Sequence, residues 1–243
     1  MKVAVFDIKA DFGFFGKFYS TSSPITYPFP PFPTIQGMVG AILGLDKKEY
    51  LDVLEYGKFR AGIRILNPVK KIRIGINHID TKEGRWQPIK TKNRQPRTQM
   101  RFELLKDPCF RIYATHTSES IFFKLVEFLE QHRSYFTLSM GLSEFLADFE
   151  FVGVFEAFEK DMPDDYVSLC TPIPLSYLDS KADTPLRFEA GKSYFKERMP
   201  LYMLTTREVV KYEDVIFEPT GKELLARPSS YVEVQNGENI LLF

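Results

Sequence analysis

FGKFYSTSSPITYPFPPFPTIQGMVGAILG, residues 15–44, is the stretch on which the fold turns. Its first half is crowded with aromatics and with Pro24, Pro28, Pro30, Pro31 and Pro33. Prolines preset the backbone and reduce the entropy lost on ordering, so this reads as an ordered extended loop and not as a flexible linker. Thr34 follows Pro33 as the expected N-cap of a helix in which Ile35, Met38, Val39 and Ile42 share one face. Gly37, Gly40 and Gly44 would let that helix lie close against a sheet or a ligand, at some cost in helix propensity. Upstream, residues 3–9 (VAVFDIK) alternate and predict a strand.

Downstream, a second helical stretch is expected over residues 47–56 and a strand over residues 59–66 (FRAGIRIL). Residues 69–79 and 100–105 read as the two arms of a long hairpin. Its tip, residues 80–99, is polar, basic and too poor in apolar residues to pack a core, so it should project. A strand follows at 109–115. Residues 118–133 form an amphipathic helix with Ile121, Phe122, Leu125, Val126, Phe128 and Leu129 as its apolar set. A glycine-containing turn spans 137–147, and another strand runs over 148–158. The resulting order, β-α-β, hairpin, β-α-β, is the split βαβ of a ferredoxin-like, RRM-like α+β domain over residues 1–160. Many unrelated proteins share this layout, so it does not decide function. Residues 161–243 read as short strands broken by prolines, a small β-rich C-terminal lobe.

Composition narrows the class. A hydrophobic share of 44% is enough for a real core and argues against disorder. Cys109 and Cys170 are far apart, in no CxxC or Cys/His cluster, which suits two reduced thiols and no zinc site. With no signal-like leader and no apolar run of membrane length, a cytoplasmic protein without membrane contact is expected. The formal net charge is zero, yet residues 58–111 hold 15 Lys or Arg against four acids, a net of +11. The remaining residues hold 17 bases against 28 acids, a net of −11. A basic segment inside a neutral chain is the footprint of a polyanion site, although a solvated basic face without a ligand has the same composition.

The loop and helix of residues 15–44 resemble the hallmark of the CRISPR-associated protein 5 family: an aromatic-Ser/Thr cluster (Tyr19, Ser20, Thr21, Ser22), Tyr27, the Pro30-Pro31 turn, then Thr34 and a Gly-rich helix with Gly37 and Gly40. The later LSMGLSEFLA resembles the family's Leu-Gly-x-x-Glu-Phe turn at Gly141, Ser143, Glu144 and Phe145. The resemblance spans about residues 1–158. It implies a non-catalytic subunit of a type I Cascade complex, a hetero-oligomer. Such a subunit holds the 5′ handle of the crRNA and contacts the backbone subunit and the large subunit. It also implies that the hairpin, about residues 69–106, is a thumb reaching over the RNA. The motif's candidate RNA contacts are Lys17, Tyr19, Ser20, Tyr27, Thr34, Gln36 and Gly37, with Gly141 and Ser143 from the later turn.

The chemistry of the hairpin suits that role. Lys90, Lys92, Arg94, Arg97 and Arg101 supply cations for phosphates, and Gln95, Thr98 and Gln99 can hydrogen-bond sugars or base edges. Trp86 is either a stacking platform for a base or a packing contact at the hairpin. Tyr19 and Tyr27 are either ligand contacts or core tyrosines with satisfied hydroxyls. Gly37 and Gly40 offer either backbone N–H groups to a phosphate or, the commoner use, close helix–sheet packing.

One branch of the family cleaves the crRNA precursor, and a metal-independent endoribonuclease is the alternative. That chemistry needs a base for the 2′-hydroxyl and an acid or cation at the leaving oxygen. The chain has three histidines, His78, His116 and His132, and no Lys-His neighbour pair. If it cleaves, His78 or His116 with Tyr19 or Tyr27 are the candidates. No metal-ligand spacing, P-loop or dinucleotide fingerprint is visible, so no cofactor is expected. A third reading is a protein-interaction module whose basic hairpin docks on an acidic partner.

Overall fold

The computed structural model describes residues 1–20, 23–79, 97–180 and 182–243. The chain opens with β1 (Lys2–Lys9) and a short β2 (Phe12–Gly13), followed by helix α1 (Phe32–Leu43) and the single turn α2 (Tyr50–Val53). Then come β3 (Phe59–Ile65), the long β4 (Lys70–Ile79) and β5 (Arg97–Lys106), β6 (Cys109–His116), helix α3 (Glu119–Glu130) and β7 (Asp148–Asp161). The C-terminal portion holds β8 (Val167–Leu169), β9 (Ile173–Pro174), β10 (Leu186–Arg187), β11 (Phe195–Met203), β12 (Val209–Phe217), β13 (Leu224–Ala226), β14 (Ser230–Val234) and β15 (Asn239–Ile240). The protein is a strand-rich α+β chain.

Its main sheet has the order β15-β14-β7-β1-β6-β3, with every neighbouring pair antiparallel. β1 lies at its centre. Ala4, Phe6 and Ile8 face the helices, where they share a core with Ile35, Val39 and Ile42 of α1 and Phe122, Leu125 and Leu129 of α3. Burial of each such side chain is worth about 1.5–3 kcal/mol. Val3 and Val5 point the other way, into a second cluster with Tyr113, Val232, Val234, Ile240 and Leu242. β1 is therefore buried on both faces, because β14 and β15 extend the sheet and the C-terminal residues fold across its back.

α1 begins two residues earlier than its expected Thr34 cap, at Phe32, with Pro31 in the capping position and no side-chain cap. The prolines explain this. A missing N–H costs nothing in a first helical turn, and the fixed φ suits it. The carbonyl of Pro31 accepts from the N–H groups of Thr34 (2.8 Å) and Ile35 (3.1 Å). At the far end Gly44 adopts a left-handed φ of 77°. The N–H groups of Tyr135 and Phe136 then satisfy the carbonyls of Ile42 and Ala41. The second helical stretch is shorter than expected, only Tyr50–Val53.

β4 and β5 pair antiparallel, in register from Lys70↔Lys106 to Ile79↔Arg97, so β5 begins three residues before the expected arm, and β2 adds a third strand at the root of the pair. Phe102, Leu104 and Leu105 at the root are buried, whereas Asn77, His78, Ile79, Arg97, Thr98 and Gln99 are exposed. The expected boundary at residues 160/161 falls inside the last residues of β7. The C-terminal portion is β-rich: β9-β12-β11 and β10-β13-β8 are small antiparallel sheets. It shares the central core, with Phe217 edge-on to Phe29 (5.3 Å between ring centroids) and Phe243 against Phe32 (6.0 Å).

Candidate nucleic-acid interface

Opposed residues of an antiparallel pair share a face, and successive residues alternate. Along β4 and β5 that rule sorts the side chains cleanly. Ile72, Ile74 and Ile76 stand opposite Leu104, Phe102 and Met100, and this apolar side packs on Phe14, which lies edge-on to Phe102 at 5.3 Å. The other side carries Arg73 opposite Glu103, Gly75 opposite Arg101, Asn77 opposite Gln99, and Arg97. Three sequence-expected contacts, Arg97, Gln99 and Arg101, thus fall on one exposed face with Arg73 and Asn77. Gln99 lies across Gly75, where a Cβ would come within 2.9 Å of its Nε2. Glu103 is neutralised by Lys71 at 2.9 Å, and Lys71 also donates to the Thr26 carbonyl at 3.0 Å. Among the described residues no acid pairs with Arg73, Arg97 or Arg101. Trp86, Lys90, Lys92, Arg94 and Gln95 lie outside the described residues.

The Pro-rich loop folds back on itself through a Gly16↔Thr26 bridge. It is tied to the hairpin by the Glu103 N–H, which donates to Pro24 O at 2.9 Å. Lys17 sits beneath its surface, bonded to Glu197 of β11 at 2.6 Å, with its ammonium 5.4 Å from the Tyr27 ring centre. Ser20 uses its hydroxyl inside the loop, donating to Lys17 O and accepting from the Ile25 N–H. Tyr19 is 60% exposed, whereas Tyr27 is 1% exposed. The Tyr27 hydroxyl has no hydrogen-bond partner among the described residues. Burial first, and then the neighbouring Glu197 carboxylate, push its phenol well above the usual range, so it is neutral at physiological pH. An unpaired buried hydroxyl costs about 1–3 kcal/mol. Tyr27→Phe is therefore expected to leave the fold intact and raise the melting temperature by a few degrees in a thermal unfolding experiment; a lower melting temperature would show that the hydroxyl is satisfied.

Thr34, Gly37 and Gly141 meet in a cleft of about 340 Å³, between α1, α2, the 137–141 turn and the β11–β12 connection. Two motifs that are about 100 residues apart in the sequence thus form opposite walls of one site. The cleft adds two residues that the sequence does not flag, Tyr50 and Arg207. Arg207 adopts a left-handed φ of 72°, stacks its guanidinium 4.8 Å from the Tyr50 ring centre, and donates to the Tyr50 hydroxyl and Lys47 O. Only their spatial meeting marks them, since they stand 157 residues apart. Gly37 and Gly40 lie inside α1, where their N–H groups serve the helix. Gly40 gives Tyr50 room to approach, for a Cβ there would meet the Tyr50 Cβ at 2.9 Å. Gln36 is 2% exposed and donates to Leu54 O. Ser143 is exposed beside the turn, its hydroxyl 3.3 Å from Glu144.

The histidines are all engaged. His116 Nδ1 accepts from the Ser118 N–H (2.8 Å), which leaves Nε2–H to donate to Val53 O (2.9 Å). His132 stacks on Phe149 and lies 3.1 Å from Asp148, and His78 leans on Phe102. Among the described residues no group of three or more His, Cys, Asp or Glu is placed to hold a metal ion, and no helix is long and apolar enough to cross a membrane.

The order β7-β1-β6-β3, with α1 and α3 on one face and the antiparallel β4–β5 pair between β3 and β6 in the chain, defines a strand-rich α+β protein. Within that class, the chain belongs to the CRISPR-associated protein (Cas_Cas5) family, whose family model matches residues 4–171. Among solved structures it is similar to a CRISPR protein from Archaeoglobus fulgidus, at 16% identity and a TM-score of 0.57 over 98% of each chain. It is also similar to a chain of a CRISPR RNA-guided surveillance complex, at 13% identity and a TM-score of 0.52 over 92% of this chain and 91% of that one. A third likeness, to a Cas protein, has 12% identity and a TM-score of 0.50 over 93% and 95%. These likenesses establish the fold. No curated protein matches the chain.

Proposed function

We propose that this chain is a non-catalytic subunit of a type I CRISPR Cascade effector complex, cytoplasmic and hetero-oligomeric, that binds the 5′ handle of the crRNA and links the backbone and large subunits. The sheet order and helix placement support reading residues 1–160 as the ferredoxin-like RNA-binding part, with β4–β5 as its thumb and residues 161–243 as a β-rich lobe that buttresses it. One observation carries the reading: Arg73, Arg97 and Arg101 share an exposed hairpin face with Gln99 and Asn77, cations and amides together on a ridge that stands clear of the core. That is the mixture by which proteins hold phosphates and sugars of single-stranded RNA. Thr34, Gly37 and Gly141, brought together in one cleft, support a second contact region on the same subunit.

The alternative, a metal-independent endoribonuclease, needs a free general base. His116 has both ring nitrogens on backbone groups, and Tyr27 is buried with a raised pKa. The test is incubation of the purified chain with labelled repeat RNA in EDTA, read on native and denaturing gels. A shifted complex with intact RNA is expected. A discrete product that disappears in His116→Ala or His78→Ala would establish the nuclease instead, and no shift at all would remove the RNA-binding reading.

A further inference from the structure

Beyond the hairpin and the cleft, one exposed feature has a composition that solvent alone does not favour. The turn after Gly16 carries Phe18 and Tyr19, which are 64% and 60% exposed. Their rings meet edge-to-face at 5.2 Å and 87°. Phe18 also lies 5.2 Å from Tyr212 of β12, whose ring carries the Arg198 guanidinium at 5.7 Å. Lys17 lies 6.0 Å from the Tyr19 ring centre. The turn is braced by its own hydrogen bonds, since the Ser20 N–H and hydroxyl both donate to Lys17 O. The rings are therefore presented by a braced turn, with the Arg198 guanidinium beside them and Lys17 held by Glu197.

We infer that Phe18, Tyr19 and Tyr212, with Arg198, form a stacking platform for an unpaired base of the single-stranded RNA, which gives the C-terminal portion a direct part in RNA binding. This rests on the RNA-binding reading above. Three observations select a nucleobase as the occupant. The open faces are aromatic and not aliphatic, which favours a flat π-system. Arg198 places positive charge over the Tyr212 ring, which suits the base of a polyanion and repels a basic peptide, whereas Lys17 is already neutralised by Glu197. The platform is also continuous with the basic hairpin: the same loop returns through Pro24 and Thr26, which bond to Glu103 and Lys71 at the hairpin root. A strand held along Arg73, Arg97 and Arg101 leaves the hairpin beside this loop.

The experiment uses the full chain and repeat RNAs carrying 2-aminopurine at one position at a time. Wild-type protein should quench the fluorescence strongly at one or two adjacent positions. Phe18→Ala with Tyr19→Ala should abolish that quench and weaken binding about tenfold, the loss of one stacked base. The logarithmic dependence on salt should stay unchanged, because no phosphate contact is lost. Tyr19→Phe should retain the quench. Both side chains are more than half exposed, so the melting temperature should hold. Equal quenching and affinity in the double variant would overturn the platform while leaving the RNA-binding reading intact. Loss of a protein partner without loss of RNA affinity would reassign the patch to protein contact and overturn it equally. Failure of the wild-type chain to bind RNA would sink both.

Discussion

Replacing Arg73, Arg97 and Arg101 together by alanine is expected to weaken single-stranded repeat RNA binding about a hundredfold near physiological salt. The slope of log affinity against log salt should fall by about 2 units, since each phosphate neutralised on a single strand contributes about 0.7. All three side chains are exposed, and no described acid depends on them for its charge balance, because Glu103 already has Lys71. The hairpin should therefore keep its register, and the loss should appear in binding without a change in melting temperature. The corresponding triple lysine variant separates charge from geometry. It should restore the salt slope yet recover only part of the affinity, because an ammonium cannot reproduce the two-pronged guanidinium contact to a phosphate. A triple alanine variant with unchanged slope would take this face out of the interface, however weakly or tightly the RNA binds. Filter binding or fluorescence anisotropy across four or five salt concentrations suffices to read it.

The parts of this molecule legible in the sequence are those whose signal is local. β1, β3, β6, β7 and both arms of the β4–β5 pair follow period-2 patterns, and α3 follows a 3.6 period, so these elements and their order along the chain could be read directly. The basic charge of residues 58–111 pointed to the hairpin for the same reason. Where a property depends on what comes from far away, the reading stops short. Thr34 looked like a cap because it is the first conventional capping residue, but Pro31 and Pro33 start the helix earlier. Lys17 looks like a free cation in FGKFYS, yet Glu197, 180 residues on, already neutralises it. Arg207 lies in an unremarkable turn and gains meaning only beside Tyr50. The two-sided burial of β1 is of this kind too. Its alternation is visible, but only the return of β14 and β15 to the sheet explains why Val3 and Val5 are as deeply buried as Ala4 and Phe6.

Gly141 connects that long-range packing to the cleft, and its replacement is expected to have the largest effect on stability of any single substitution at the candidate site. Its φ is 99°, a region that L side chains rarely adopt. A Cβ added there would lie 1.8 Å from Phe14 O and 2.8 Å from the Phe14 carbonyl carbon. That backbone cannot easily give way, because the Phe14 N–H is bonded to Met140 O at 2.9 Å and Met140 is fully buried. Gly57 supplies the control. Its φ is 95°, almost the same, but no atom lies within 4 Å of its hypothetical Cβ. Gly57→Ala should therefore register the conformational strain alone, about 1 kcal/mol. Gly141→Ala should register the strain plus the displacement of the pinned Phe14 backbone, about 3 kcal/mol or more in denaturant unfolding. Because Gly141 forms one wall of the cleft and α1 the other, with Thr34 and Gly37, the same variant should also widen or close that cleft. Any contribution of the cleft to RNA affinity should fall with it, measured at a temperature where the variant is still folded. Equal effects at the two glycines would mean that the 137–141 turn moves freely against Phe14. The cleft would then be too soft to hold a nucleotide in one orientation, and recognition would pass to the hairpin and the aromatic turn.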